Sequence, residues 1–227
     1  MGGVTPFTAT DYPGKLSAVV FVQGCPWRCG YCHNPHLQDR NGGAELWIDV
    51  LEFLARRIGL IDAVVFSGGE PVIDPALPQA MADVRALGYK VGLHTACIYP
   101  RQLSLVLPLV DWVGFDIKAP FALYPRITKA AGSGGAAREC AKLILASGID
   151  YECRTTIHPG LLAEDEIEEL AVTLASLGVR NYALQAFRSQ GCADSMLNGI
   201  NCAGYPSAGM LERVASLFDE FTFRQHS

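Results

Sequence analysis

Short apolar segments rich in β-branched residues alternate with segments of helical spacing along most of this chain. The strand-like segments are 18–23, 63–66, 90–94, 112–117, 151–157 and 182–186, and the helical segments are 47–58, 75–87, 101–107, 136–147, 164–177 and 207–220. Gly59, Gly88, Gly148 and Gly178 each follow a helical segment, where a left-handed C-terminal cap is expected. The strand-like segments lack polar alternation, which is typical of strands buried on both faces. The order predicts a parallel sheet with helices on its outside.

Six strand–helix units in 227 residues fall short of a closed eight-unit barrel, which usually needs ~250 residues. We therefore predict an α/β fold, a partial (βα)6 TIM-like barrel with a parallel sheet and outer helices. No repeat or low-complexity linker interrupts the pattern, so residues 1–227 are predicted to form a single domain. In such folds the functional side chains gather at the carboxyl ends of the strands.

Charge and hydropathy exclude several classes of function. The chain has 18 basic and 23 acidic residues and no basic run that could track phosphates, so no nucleic-acid partner is expected. The most apolar stretches, 16–22 and 103–115, are short or interrupted by Asp111, whereas a membrane span needs ~20 apolar residues. The first cation is Lys15, so no export signal opens the chain. We expect a cytoplasmic protein with no membrane partner.

Three of the eight cysteines, Cys25, Cys29 and Cys32, crowd directly after the first predicted strand, and the others are scattered. Thiolates suit iron–sulfur clusters and zinc, and this spacing lets a short loop wrap three of them around one face of a cubane. The spacing leaves three alternatives open: a structural zinc site with His33 or His36 as fourth ligand, a redox pair of Cys29 and Cys32, or ordinary buried cysteines. One crowded group among scattered cysteines suits a reducing compartment.

The Cys-x3-Cys-x2-Cys arrangement, with Tyr31 just before the last cysteine, resembles the motif of the radical S-adenosylmethionine (SAM) superfamily. The resemblance implies that Cys25, Cys29 and Cys32 are the metal ligands and the catalytic centre. They would hold a 4Fe–4S cluster whose fourth iron stays open to the amino and carboxylate groups of SAM. It also implies that the reduced cluster cleaves SAM to a 5′-deoxyadenosyl radical, and hence an electron donor such as flavodoxin or ferredoxin.

Polar residues at or near the ends of all six predicted strands extend this resemblance to a cofactor site. Gly68 and Gly69 allow close backbone approach, and the resemblance implies that Glu70 accepts the methionine ammonium of SAM. Arg154 lies within an apolar strand, where it needs a carboxylate partner, from the cofactor or from Asp116. The residues expected to bind the cofactor are Tyr31, His33, Asn34, Ser67, Gly68, Gly69, Glu70, His94, Thr95, Asp116, Lys118, Arg154, Gln185 and Arg188.

Two further stretches resemble a subgroup of the superfamily. Residues 11–15 read Asp-Tyr-Pro-Gly-Lys, and residues 187–198 carry the pattern Phe-Arg-x-x-Gly-Cys-x-Asp-x-x-Leu-Asn. Both look like the glycyl-radical activating proteins of anaerobic ribonucleoside-triphosphate reductase, in which Asp often replaces His94. The implied reaction is hydrogen abstraction from a glycine of that partner. Alternatives are an activase of pyruvate formate-lyase or another glycyl radical enzyme, a small-molecule radical SAM enzyme, and a zinc-bound structural or redox module. Cys192 and Cys202 are too few for an auxiliary cluster.

Overall fold

The computed structural model describes residues 1–40, 43 and 45–225, which contain one eight-stranded sheet in sequence order. The strands are β1 Gly3–Thr8, β2 Ser17–Val22, β3 Ala63–Gly68, β4 Lys90–Thr95, β5 Trp112–Asp116, β6 Asp150–Ile157, β7 Asn181–Ala186 and β8 Glu220–Arg224. Strands β2 to β8 are parallel, and β1 pairs antiparallel with β2. The sheet stays open between β1 and β8, which confirms the predicted α/β partial barrel.

Helices connect the parallel strands. They are α1 Trp47–Ala55, α2 Leu77–Ala86, α3 Pro100–Val106, α4 Tyr124–Thr128, α5 Ser133–Ser147, α6 Glu164–Leu177, α7 Ser195–Asn198 and α8 Ala208–Ala215. Short 3-10 turns lie at Pro35–Leu37, Pro71–Ile73, Leu107–Leu109 and Phe121–Leu123. Gly148 and Gly178 cap α5 and α6 in the left-handed conformation, as predicted. In the described part of the chain, no helix is long and apolar enough to cross a membrane.

The six predicted strand–helix units omit the two edge strands of the sheet, β1 and β8. The sequence of β1 contains Gly3 and Pro6, which hide its strand pattern, and an edge strand tolerates proline. The predicted helix 207–220 is too long, because α8 ends at Ala215 and the chain then enters β8. The rings of Phe218 and Phe221 lie 4.7 and 6.2 Å from that of Tyr182, so ring packing on β7 favours the strand.

Apolar side chains fill the amino-terminal end of the barrel interior. Tyr12, Val19, Ala63, Val65 and Trp112 form a buried cluster, separate from the larger core that lies between the sheet and its helices. The rings of Tyr12 and Trp112 are 5.3 Å apart between centroids. Ala63 and Trp112 are the first residues of β3 and β5, which places the cluster at the amino ends of the strands. A polar site inside the barrel can therefore open only toward the carboxyl ends.

Candidate functional site

A cavity of about 240 Å³ opens at the carboxyl ends of the parallel strands. It brings together most of the side chains predicted from the sequence, drawn from the loop after β2 and from the ends of five further strands. The predicted residues that line it are Cys25, Cys29, Tyr31, Cys32, His33, Asn34, Ser67, Gly68, Gly69, His94, Thr95, Asp116, Lys118, Arg154 and Gln185. Trp27, Gln38, Ala96 and Thr156 also line it and were not predicted. We call this space the cysteine cavity.

Backbone hydrogen bonds hold the cysteine loop on the mouth of the barrel. The amide of Cys25 donates to the carbonyl of Gln38 at 2.9 Å, and the amide of Arg28 donates to Thr128 at 3.0 Å. Within the loop, the Cys32 amide donates to the Cys29 carbonyl at 3.1 Å. The loop is thus fixed on both sides, and its three thiols lie at the rim of the cavity.

The donor set fits a cluster better than a single ion. Cys25, Cys29 and Cys32 are free thiols, each half-buried. No group of three His, Cys, Asp or Glu side chains in the described ranges converges on one metal ion. Thiolates around a cubane each bind a different iron, so they need not converge. His36, a fourth ligand in the zinc alternative, is exposed and lies outside the cavity lining.

Burial raises the pKa of the Cys25 thiol to about 11, and it also raises that of Cys29. Both thiols are therefore protonated at neutral pH in the metal-free protein. Iron binding would displace these protons, because the thiolate is the metal ligand.

Gly68 and Gly69 let the end of β3 lie against the cysteine loop. A Cβ on Gly68 would collide with the carbonyl of Val22, and one on Gly69 with the carbonyl of Gly24. Gly68 also has φ of +124°, which side chains rarely adopt. The amides of Gly69 and Glu70 donate to these same two carbonyls at 2.9 and 2.8 Å. The glycine pair therefore fixes the position of the cysteine loop as well as lining the cavity.

Glu70 lies beneath the cysteine cavity and does not line it. It does not line the second cavity described below either. Its carboxylate is fully buried and accepts hydrogen bonds from the Thr95 hydroxyl and the Ala96 amide, each at 2.8 Å. Burial raises its pKa to about 7, although these hydrogen bonds lower it. In this structure Glu70 joins β3 to the end of β4, and it reaches the cavity only through Thr95 and Ala96.

Asp116 and Lys118 lie two residues apart at the end of β5, and both line the cavity. Lys118 Nζ lies 3.3 Å from Asp116 Oδ2 and 5.4 Å from the centre of the Tyr31 ring. Burial lowers the pKa of Lys118, but the neighbouring Asp116 carboxylate raises it, and the net pKa lies well above its ordinary value. A buried ammonium that stays charged therefore faces the cysteine loop.

Arg154 pairs with Glu152 and not with Asp116. Its Nε donates to Glu152 at 2.6 Å, and Glu152 also accepts two hydrogen bonds from Arg224 of β8. The expected partner Asp116 instead pairs with Lys118. Glu152 and Arg154 alternate along β6, and this i, i+2 pair was the available signal in the sequence. Arg224 was not predicted, because no strand was expected after the predicted helix 207–220.

His94 is half-buried beside Arg154. Its Nε2 lies 2.9 Å from the carbonyl oxygen of Asp11 and 3.3 Å from Arg154 Nη1. Burial and the charge of Arg154 lower the pKa of His94 to about 4, so the imidazole is neutral at neutral pH. His94 thus contributes a hydrogen-bonding ring and no charge to the cavity wall.

Arg188 lies in a second cavity of about 360 Å³, which shares four lining residues with the first. Its lining is Thr10, Asp11, His33, Arg154, Thr156, Gln185, Ala186, Arg188 and Arg224. We call it the edge cavity, because Thr10 and Asp11 follow β1 while Arg224 ends β8. Of the predicted cofactor residues, Arg188 alone lines this space without lining the cysteine cavity.

The segment after β7 packs on the cysteine loop. His33 Nε2 lies 3.0 Å from the Arg188 carbonyl, and Cys192 Sγ lies 3.4 Å from the carbonyl of Gly30. Asp194 caps α7 by accepting from the amides of Met196 and Leu197. Cys192 and Cys202 are both free thiols, so they form no redox-active disulfide in this structure. The pattern at 187–198 therefore belongs to a segment that packs on the cysteine loop.

Residues 19–175 match the Radical SAM superfamily. The matching span covers more than half of the chain and contains the three clustered cysteines, the glycine pair and the Asp116–Lys118 pair. The chain therefore belongs to the radical SAM superfamily and is a radical SAM enzyme. Enzymes of this superfamily use a 4Fe–4S cluster and SAM, which agrees with the predicted cofactors and removes the zinc module from consideration.

Two curated relatives are informative. A Methanocaldococcus jannaschii protein, provisionally assigned as a glycyl-radical enzyme activating enzyme, is 30% identical over 86% of this chain and 82% of its own length. The pyruvate formate-lyase-activating enzyme of Clostridium pasteurianum is 41% identical over 38% of this chain and 37% of its own length.

The fold is similar to that of Streptococcus suis SuiB in its crystal structure bound to S-adenosylmethionine. The TM-score is 0.66 at 14% identity, with 92% of this chain and 50% of SuiB covered. The chain therefore spans about half of that structure and about a third of the Clostridium relative.

Proposed function

We propose that this chain is an activase that abstracts a hydrogen from a glycine of a partner glycyl radical enzyme, most specifically anaerobic ribonucleoside-triphosphate reductase. One observation carries the proposal: three half-buried cysteines line a cavity that adjoins a second cavity at the open edge of the sheet. An open edge can admit a peptide segment that a closed barrel would exclude. The Methanocaldococcus relative supports the general class, and the stretches at 11–15 and 187–198 support the reductase as partner.

In this proposal Cys25, Cys29 and Cys32 hold the cluster, and the residues lining the cysteine cavity bind SAM. When bound, the cluster supplies the electron that cleaves SAM reductively and so gives the enzyme its hydrogen-abstracting radical. Lys118 presents a fixed positive charge to the cofactor's carboxylate, and Asp116 balances that charge. Gly68 and Gly69 offer backbone groups at close range, and Glu70 holds Thr95 and Ala96 in place.

The proposal extends to the protein's surroundings. The free thiols and the cluster chemistry suit the cytoplasm, with residues 1–227 acting as one radical SAM domain. A one-electron donor such as flavodoxin or ferredoxin would supply the reducing equivalent. Pyruvate formate-lyase is the second candidate partner, because the Clostridium relative is 41% identical over its matched region.

The test is anaerobic reconstitution of the cluster, followed by incubation with SAM, a reductant and each candidate partner in turn. We expect a glycine-centred doublet in the electron paramagnetic resonance spectrum with the reductase, and 5′-deoxyadenosine formed with it. A partner in which the target glycine is replaced by alanine should give no doublet. Signal with pyruvate formate-lyase alone would reassign the partner, and no signal with any glycyl radical enzyme would refute the activase.

Cys29→Ala is the matched variant on the enzyme side. It removes one proposed iron ligand, so we expect loss of the brown colour, of SAM cleavage and of the partner radical together. Cys202→Ala is the control, because Cys202 is exposed and lies outside both cavities. Full activity in Cys29→Ala would contradict the ligand assignment.

A further inference from the structure

The edge cavity lies where the sheet fails to close. Thr10 and Asp11 follow the edge strand β1, and Arg224 is the last residue of the opposite edge strand β8. His33, Arg154, Thr156 and Gln185 line both cavities, so the two cavities adjoin. A group bound in the edge cavity would therefore lie next to whatever occupies the cysteine cavity.

Positive charge predominates in the edge cavity. Arg154, Arg188 and Arg224 line it, while the carboxylates in or directly behind its wall are Asp11 and Glu152. Glu152 is buried and pairs with both Arg154 and Arg224, so one carboxylate serves two guanidinium groups. Asp11 accepts a hydrogen bond from Thr8 at 2.7 Å and lies 4.0 Å from the neutral His94. Three cations against two carboxylates leave a surplus positive charge.

Arg188 carries that surplus. Its side chain is exposed and has no ion pair or hydrogen bond within the described residues, while its backbone carbonyl is held by His33. The side chains of Gln185 and Thr156 likewise have no hydrogen-bond partner in the described part of the chain, and they line the floor of the same cavity. The site therefore offers a free guanidinium at its mouth and free amide and hydroxyl groups inside.

We infer that the edge cavity binds the partner's glycine-bearing segment and that Arg188 recognises a carboxylate on that segment. This inference rests on the proposed activase function. A guanidinium pairs with a carboxylate through two parallel hydrogen bonds, so it selects an acidic group by geometry as well as by charge. Gln185 and Thr156 can hydrogen-bond the segment's peptide groups, and Glu152 holds Arg224 in place as a positioning residue.

The location separates this role from cofactor binding. Arg188 does not line the cysteine cavity, whereas Lys118 does and is the buried cation beside the thiols. Arg188 was expected to bind the cofactor, and its position outside the cysteine cavity favours the partner instead. The carboxylate could be an Asp or Glu side chain or the chain end, and the test below distinguishes these sources from the carboxylate of SAM.

The experiment measures binding of short fluorescent peptides with a central glycine to the cluster-loaded protein in the presence of SAM. One series carries a single Asp at each position in turn, a second carries Asn instead, and a third has a free or an amidated chain end. We expect at least one acidic peptide to bind about tenfold more tightly than its neutral counterpart, as one charge-assisted hydrogen bond would give. We expect Arg188→Gln to abolish that difference.

Arg180→Gln is the matched control, because Arg180 precedes β7 just as Arg188 follows it and pairs with Asp219 on the surface. It should keep the preference for the acidic peptide. Equal affinity for acidic and neutral peptides, or no binding of any acidic peptide, would overturn the inference. If Arg188→Gln weakened SAM binding as much as it weakened peptide binding, Arg188 would be a cofactor-binding residue instead. None of these binding measurements requires a radical to form. A negative result here can therefore be told apart from failure of the proposed activase function.

Discussion

At the scale of single residues, Glu70 combines full burial with a network of donors that keeps it in place. Its oxygens accept from Thr95 and Ala96, and its own amide is bonded to the cysteine loop through Gly24. Within the residues that the structure describes, no cation pairs with the carboxylate, and Lys118 acts on it only from a distance. Ionising the Glu70 carboxyl therefore costs free energy, because burial disfavours its charged form.

We predict that Glu70→Gln changes how stability depends on pH. The folded pKa of about 7 lies above the ordinary value of 4.5, so the folded state holds a proton that the unfolded state has lost between these values. The free energy of unfolding should therefore fall as pH rises from about 4.5 to about 7, by up to about 3 kcal/mol. Urea unfolding of the anaerobic metal-free protein measures this slope, and Glu70→Gln should reduce it. An unchanged slope in the variant would show that another group titrates.

At the scale of elements, Glu152 ties β6 to β8 across β7. It is 6% exposed in its side chain and pairs with Arg154 on its own strand and with Arg224 two strands away. Because β8 is an edge strand, this bridge adds a buried polar anchor to its pairing with β7.

We predict that Glu152→Gln lowers the free energy of unfolding by about 3 kcal/mol, because it leaves two arginines without their buried partner. Glu168→Gln is the matched control: its ion pair with Arg213 lies on the surface and is screened by solvent, so its loss should leave the free energy of unfolding nearly unchanged. Urea unfolding of both variants beside the parent gives the comparison. A similar small loss in both would mean that water replaces Glu152 without penalty.

The same elements show which parts of the fold the sequence could predict. The central strands were recognised because burial on both faces gives continuous apolar runs, and their ends predicted most of the cysteine cavity. The edge strands β1 and β8 were missed because both are short, β1 contains Pro6, and no strand was expected after the predicted helix 207–220. Asp11 and Arg224 were missed with them. Glu70 was predicted from motif, but its buried position depends on contacts with β4 that no local pattern reveals.

At the scale of the whole molecule, two segments far apart in sequence close over the same mouth. The cysteine loop is bonded to the 187–198 segment through His33, Gly30 and Cys192, with the barrel beneath both. Neither segment belongs to the regular sheet. We therefore expect each to be held in place by its contacts with the other and by the cluster that the cysteines are proposed to bind. A cluster that binds only the folded loop stabilises that fold by mass action.

We therefore predict that loading the cluster protects both segments from trypsin at once. Cleavage after Arg28, inside the cysteine loop, and after Arg188, at the start of the covering segment, should slow at least several-fold relative to the metal-free protein. Cleavage after Arg213 in α8 serves as the internal control, because Arg213 lies in neither segment and pairs with Glu168 of α6. Mass spectrometry of timed anaerobic digests gives all three rates from one sample. Protection at Arg28 without protection at Arg188 would show that the two segments order independently, since coupled closure requires both rates to fall together.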